Sequence, residues 1–367
     1  MTRRFPWLIK LISFEVVLMT ARSSKPEAWE VWFLSTSMNL FLFKPYSLIF
    51  YTTLLLGTFI SVTSNNWFVV WIGLEINIYS FIPLLLQSNI NQEKEAAIKY
   101  FIIQALASGL LLTASLALYS PFSSILFTIS LIIKLALAPC HFWFPRIINS
   151  LSWNICWLLT TVQKVAPLYL LSQIYFHVNS IFLSFLSIIS ALTGAIGGLK
   201  QTQLRPILAY SSIGHLGWLT ASIHTSFLIL NLYFFSYIII ISTVIYFANT
   251  NFSASASPSL FFFDSSKPFL SLALLSLGGL PPLFGFFPKL LLLLNLTYTN
   301  FVFLPFVLVL SSTINLYYYL KIVFFASLQA PSFNILYTLP PSYPSIIVPL
   351  IFSTSIVLGL FLLVILL

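Results

Sequence analysis

From Met38 onward, long apolar runs separated by short polar segments dominate the chain. Eleven runs stand out, at about 46–62, 67–87, 96–119, 123–141, 153–176, 180–198, 207–223, 226–248, 268–296, 301–325 and 345–367. Most reach the ~20 residues that a helix needs to cross a ~30 Å hydrocarbon core. A helix satisfies its backbone polar groups internally, which hydrocarbon demands. The pattern predicts an all-α polytopic membrane protein of about eleven transmembrane helices, forming a single domain over 38–367. Two runs carry breakers well inside: Pro139 in KLALAPCHFWFP, and Gly278-Gly279-Leu280-Pro281-Pro282 in the ninth run. Proline removes a backbone donor and clashes one turn back, so both helices are expected to break. In a membrane such breaks persist where protein or water takes up the freed backbone groups, and they recur at ion-transport sites. A simple packing kink is the plainer reading of either.

Composition agrees. Of 367 residues, 59% are hydrophobic and only 6% charged, against about 25% charged in soluble domains; mean hydropathy is +1.01. The net charge of +9 comes from scattered single residues, with no cluster that could follow a phosphate backbone, so no nucleic-acid partner is expected. Two cysteines, Cys140 and Cys156, are too few for a cysteine-ligated iron–sulfur cluster. No phosphate-cradling glycine motif occurs. A lone mid-span histidine does not supply the paired axial ligands of a haem b protein.

Residues 1–37 read differently. They hold eight charged residues, and their apolar stretch is interrupted by Lys10 and Glu15. They are set apart as an N-terminal extension, with Met38 standing as an alternative natural start. No function is assigned to them.

Charge placement fixes an orientation. Lys44, Lys94, Lys99, Arg146, Lys200, Arg205, Lys267 and Lys321 fall at the N-terminal flank and at every second loop. Eleven spans put all eight on one side, which the positive-inside rule assigns to the cytoplasmic or matrix face. The N-terminus then lies on that side and the C-terminus on the other.

The same accounting isolates the candidate chemistry. Glu93, Glu95 and Asp264 fall between runs, whereas Glu75 is the ninth residue of its run, roughly 12 Å deep at 1.5 Å per residue. Lys134, Lys164 and Lys289 also lie inside runs. Ionisable groups at such depth cost at least ~2.5–3.5 kcal/mol each and mark functional sites. An ion pair joining helices explains Glu75 with one lysine but leaves two amines over. A chain of buried lysines linked by water is a proton path. His215, mid-span in AYSSIGHLGW, is a candidate extension of it. His141 follows the Pro139 break and fits either a relay or a cap on freed carbonyls. His177 and His224, at span ends, read as solvated. The aromatic residues read as lipid-facing or interfacial packing.

Several segments carry a resemblance. SNNWFVVWIGLEINIYSFIPLL surrounds Glu75, EAAIKYFIIQALAS Lys99, KLALAPCHFWFPRI Lys134, WLLTTVQKVAPLYLL Lys164 and LRPILAYSSIGHLGW His215. LGGLPPLFGFFPK leads to Lys289, and NLYYYLKIVFFAS surrounds Lys321. In this order, over 38 to about 330, they resemble the subunit 2 family of mitochondrial NADH:ubiquinone oxidoreductase, respiratory complex I. The resemblance implies an antiporter-like membrane-arm subunit with inverted repeats, two broken helices and eleven spans. It implies a mitochondrial inner-membrane location, the N-terminus on the matrix side and the C-terminus on the intermembrane side. It implies a proton path through Glu75, Lys134, Lys164 and Lys289, in which Glu75 pairs with Lys134, Lys164 is the central relay and Lys289 lies towards release. It implies no cofactor in this chain: NADH, FMN, iron–sulfur clusters and ubiquinone belong to partner subunits. The expected partners are other complex I subunits, neighbouring antiporter-like ones above all, and membrane lipids. Cys140 departs from the larger apolar or aromatic residue expected there. Two other readings stand beside this one. A cation/proton antiporter subunit would need sodium-coordinating carboxylates, where Glu75 is the candidate. A structural spacer would tolerate methionine at the buried lysines.

Overall fold

The computed structural model describes residues 45–87, 91–117, 122–175, 178–252, 267–298 and 303–328. Residues 1–37, His177, Asp264 and the run at 345–367 lie outside these. The chain divides into two compact units, residues 1–51 and 52–367. The described part of the first is the opening of one helix; everything below concerns the second.

Ten of the eleven runs become helical spans, and no strand occurs among the described residues. In chain order the helices are α1 (Pro45–Thr63), α2 (Trp67–Leu85), α3 (Asn91–Leu116), α4 (Ser123–Leu135), α5 (Trp143–Ser150), α6 (Trp153–Thr160), α7 (Val162–Ile174), α8 (Ser180–Leu199), α9 (Leu204–Ile223), α10 (Phe227–Phe252), α11 (Lys267–Gly278), α12 (Phe286–Tyr298) and α13 (Phe303–Leu328). Six spans, α6 and α7 counted as one, are long and apolar enough to cross a membrane. Among the others, α4, α11 and α12 are short because the expected breaks occur. α4 stops at Leu135 and the chain restarts as α5; α11 stops at Gly278 and restarts as α12.

Burial is arranged for an apolar solvent. Phe59, Leu106, Phe185, Leu228, Phe235 and Phe306 are exposed, whereas many hydroxyl groups turn inward, and buried and exposed ones alike bond carbonyls one turn back within their own helices. Ser61 to Thr58, Ser130 to Phe127, Ser211 to Leu208 and Ser276 to Ala273 are examples, all at 2.7–2.9 Å. Each such bond removes a donor that lipid could not satisfy. At the start of α2, Asn66 caps the helix by accepting from the Phe68 amide at 3.0 Å.

One helix, α9, is enclosed almost from end to end: from Pro206 to Ile223 all but Tyr210 is buried. Small residues allow it. A Cβ added at Gly194 of α8 would sit 2.4 Å from the Gly214 amide of α9, and one at Gly217 would meet the Ala191 amide at 2.7 Å. Such backbone-to-backbone approach drives helix association where lipid removes the hydrophobic contrast. It holds His215 and Trp218 of α9 at the centre, facing α10, α12 and α7. Apolar residues of α2, α3, α4, α7, α9 and α12 fill one side of this centre, with Leu74, Leu111, Leu131, Leu170, Leu219 and Leu292 in its core. Residues of α9, α10, α11 and α13 fill the other.

Two expectations need correcting. Glu93 is not a loop residue: it occupies the first turn of α3 and is 2% exposed. The first turn places its carboxylate at the positive end of the helix dipole, and Arg205 stands near enough for both to act on Cys156. His224 is not solvated either; it is buried, edge-on to the Tyr175 ring at 5.4 Å. Many phenylalanines are exposed, in keeping with a lipid-facing role for the aromatics, but Tyr100, Tyr233, Tyr237, Tyr318 and Tyr319 are buried.

Candidate functional site

All three interior lysines are buried, and each stands at an interruption of its helix. Lys134 is the penultimate residue of α4. After it Ala136 turns left-handed at φ 60°, and its N–H and that of Leu137 bond the Ile133 and Ile132 carbonyls at 3.2 and 3.1 Å. That is the usual way to close a helix, with glycine's place taken by alanine. A left-handed alanine costs on the order of 1 kcal/mol, so the surroundings hold the turn. The chain passes through Pro139, beside the buried His141, before α5 begins.

Lys164 follows an interruption the sequence did not announce. Helix α6 ends at Thr160, and Thr161 adopts φ −116°, ψ −75°. Two hydroxyls converge on the Trp157 carbonyl, Thr160 Oγ1 at 3.1 Å and Thr161 Oγ1 at 2.6 Å. Threonine hydroxyls competing for a helix carbonyl bend helices. The Lys164 N–H bonds the Thr161 carbonyl at 3.1 Å as α7 starts.

Lys289 lies in the first turn of α12 and reaches back to the end of α11. Its Nζ donates to the carbonyls of Gly278 at 2.8 Å and Leu277 at 3.2 Å. The carbonyls freed by the break are therefore taken by the ammonium itself. Gly279 makes this fit: its φ is +83°, and a Cβ there would lie 2.8 Å from Lys289 Nζ. The chain then turns so tightly that a Cβ at Gly285 would come within 1.8 Å of the Ser276 carbonyl oxygen.

Different groups face the three charges. Glu75, half-buried on α2, acts electrostatically on Lys134, without a direct ion pair joining them. Lys164 lies over the faces of Phe144 and Tyr237, 5.1 and 5.4 Å from their centroids, and 3.5 Å from the Ser212 carbonyl. Ring faces attract a desolvated cation by up to about 2 kcal/mol. Lys289 has the negative end of α11 and the Trp218 ring at 5.6 Å. No second carboxylate is needed to account for the two further amines.

The groups lie within reach of one another. Lys134 and Lys164 border one cavity, together with Asn77, Tyr100, Gln104 and Gln163. It offers about 20 Å³ to water, enough for one molecule. Across it, Gln163 Nε2 donates to Asn77 Oδ1 at 2.8 Å, and the Tyr100 hydroxyl donates to Gln163 Oε1 at 3.3 Å. Beyond Lys164, His215 is close enough to feel both Lys164 and Lys289. Its Nδ1 shares a 3.0 Å hydrogen bond with the Tyr233 hydroxyl. A second, smaller cavity of about 10 Å³, at the threshold for holding water, borders His215, Ser276, Gly285 and Pro288. Glu75 thus acts on Lys134, Lys134 and Lys164 border one cavity, and His215 lies within electrostatic reach of both Lys164 and Lys289. Asn77, Tyr100, Gln104 and Gln163 were not singled out from the sequence. Their signal is faint, since uncharged polar residues are common in spans; Gln163 beside Lys164 is the one hint.

The family described as NADH:quinone oxidoreductase/Mrp antiporter, transmembrane, matches residues 64–315. The chain is 40% identical over 294 residues to NADH-ubiquinone oxidoreductase chain 2 of Dasypus novemcinctus, a match covering 75% of this chain and 84% of that one. It is 40% identical over 331 residues to the protein of the same name from Eidolon helvum, covering 84% and 94%. Its fold is similar to a chain of respiratory complex I from Thermus thermophilus with bound aureothin. The TM-score is 0.75 at 23% identity, over 86% of this chain and 78% of that one.

Proposed function

We infer the function from one premise: this chain belongs to the NADH:quinone oxidoreductase/Mrp antiporter family of transmembrane proteins, and within it to the NADH-ubiquinone oxidoreductase chain 2 proteins. It is a core membrane subunit of NADH:ubiquinone oxidoreductase, respiratory complex I, and takes part in proton translocation coupled to electron transfer from NADH to ubiquinone. It works in the mitochondrial inner membrane with its N-terminus on the matrix side, bound to the other complex I subunits. NADH, FMN, iron–sulfur clusters and ubiquinone are held by those partners; this chain carries no redox centre and supplies a proton path.

One observation supports the path above the rest: of three buried lysines on separate broken spans, two border one cavity, and His215, which borders a second, lies within electrostatic reach of Lys164 and Lys289. An amine faced by partial charges rather than by a carboxylate changes protonation state when its neighbour does. A change in Glu75 or Lys134 therefore passes along the line to Lys289. Moving a proton against ~150–180 mV costs roughly 3.5–4 kcal/mol, and a shift of each pKa unit is worth ~1.4 kcal/mol, so a few such shifts suffice.

The direct test is to isolate the chain in mild detergent from its own membranes. The companions should be complex I subunits, and the isolate should transfer electrons from NADH to ubiquinone. Recovery with a sodium/proton antiporter and no NADH oxidation would replace this reading.

A further inference from the structure

Gln163 is held more firmly than a cavity-lining amide needs to be. Its Nε2 donates to Asn77 Oδ1 of α2 at 2.8 Å, and its Oε1 accepts from the Tyr100 hydroxyl of α3 at 3.3 Å. Tyr100 and Asn77 are 2% and 3% exposed. The Tyr100 ring is itself wedged between Phe81 and Trp143, at 5.1 and 6.1 Å between centroids. Both ends of the amide are therefore held. One N–H of Gln163 and one lone pair on its oxygen remain beyond the two bonds. The cavity these residues border also touches both Lys134 and Lys164 and has room for one water.

We propose that Gln163, clamped between Asn77 and Tyr100, is a positioning residue that orients the water linking Lys134 to Lys164. An amide neither gains nor loses a proton in this range, so Gln163 is not itself a relay. Its free N–H and lone pair hold the water with one lone pair towards the donor ammonium and one hydrogen towards the acceptor amine. Transfer then balances without other reactants. An N–H bond of one lysine's ammonium breaks and an O–H bond forms on the water. One of the water's original O–H bonds breaks and a new N–H forms on the other lysine's neutral amine, regenerating the water. The interruption at Thr160 and Thr161 gives the arrangement a structural basis. It places Gln163 and Lys164 in the first turn of α7, so the orienting amide and the receiving amine are consecutive residues.

The proposal rests on the proton path above, and the test separates the two. Three variants are made in the assembled complex: Gln163→Met, which keeps the volume; Tyr100→Phe, which frees one end of the clamp and removes only a hydroxyl; and Lys164→Met as reference. NADH:ubiquinone turnover, protons moved per electron and the solvent deuterium isotope effect are measured on each. Gln163→Met is expected to slow coupled turnover on the order of tenfold, the effect of one lost positioned hydrogen bond, and to raise the isotope effect. Tyr100→Phe should move both readings the same way, by less. If Lys164→Met abolishes pumping while Tyr100→Phe and Gln163→Met behave as wild type, this proposal is overturned and the path stands. Should Gln163→Met fail to assemble, Tyr100→Phe alone decides, by the same two readings. If Lys164→Met pumps normally, the path itself is wrong and the proposal falls with it.

Discussion

Each buried lysine is made tolerable by a different neighbour, and this is where substitution should speak most clearly. Lys289 depends on Gly279, whose φ of +83° suits glycine and whose missing Cβ leaves room for the ammonium. Gly279→Ala should push Lys289 off the Gly278 and Leu277 carbonyls, costing about 1–3 kcal/mol between strain and lost bonds. The thermal midpoint of the complex should fall and pumping should drop with it; an unchanged midpoint would mean the carbonyls find another partner. Glu75→Gln keeps the shape on α2 but removes the charge that acts on Lys134. Coupled turnover should fall roughly tenfold, the equivalent of about one pKa unit, while assembly holds. Residues of this kind are legible in a sequence because a charge inside an apolar run is costly and calls for a specific partner or role. Glu93 escaped because it stands at a run's edge, where exposure is the ordinary outcome. Its burial is set by packing between helices, which no local pattern reveals. The clamp of Asn77, Tyr100 and Gln163 joins three helices and was equally out of reach.

At the level of elements, the spans followed from length and apolarity alone, and the breaks at Pro139 and at Gly278–Pro282 from residue type. Proline was nonetheless an uneven guide. Pro83 and Pro167 sit inside α2 and α7 without ending them, whereas the break at Thr160 and Thr161 involves no proline or glycine. Hydroxyls bonded to the Trp157 carbonyl accompany it, and threonine is too common in spans to flag such an event. The α8–α9 contact gives an asymmetric prediction. A methyl at Gly194 collides with the backbone of Gly214 at 2.4 Å, while a methyl at Gly214 meets the Asn315 side-chain nitrogen at 3.3 Å. Backbone cannot yield as a side chain can. Gly194→Ala should therefore separate the helices and cost about 1–3 kcal/mol, and Gly214→Ala should cost clearly less. Thermal denaturation of the two complexes compares them; equal losses would show that α9 shifts as freely as Asn315.

Across the molecule, the lysines lie at the places where helices stop, which gives their amines carbonyls, rings and small water spaces in an otherwise apolar interior. The partial charges there can hold a proton without trapping it, whereas a row of carboxylate partners would fix each lysine in one state. Lys164 stands in the middle of this line, bordering the first cavity and close enough to His215 to act on it. The most direct measurement is proton translocation per electron in reconstituted enzyme carrying Lys164→Met. Methionine fills the space and cannot carry a proton. The enzyme should assemble in normal amount, with coupled NADH:ubiquinone turnover and proton translocation both reduced about tenfold or more. A fully assembled variant that moves as many protons per electron as the wild type, at the wild-type rate, would contradict the account.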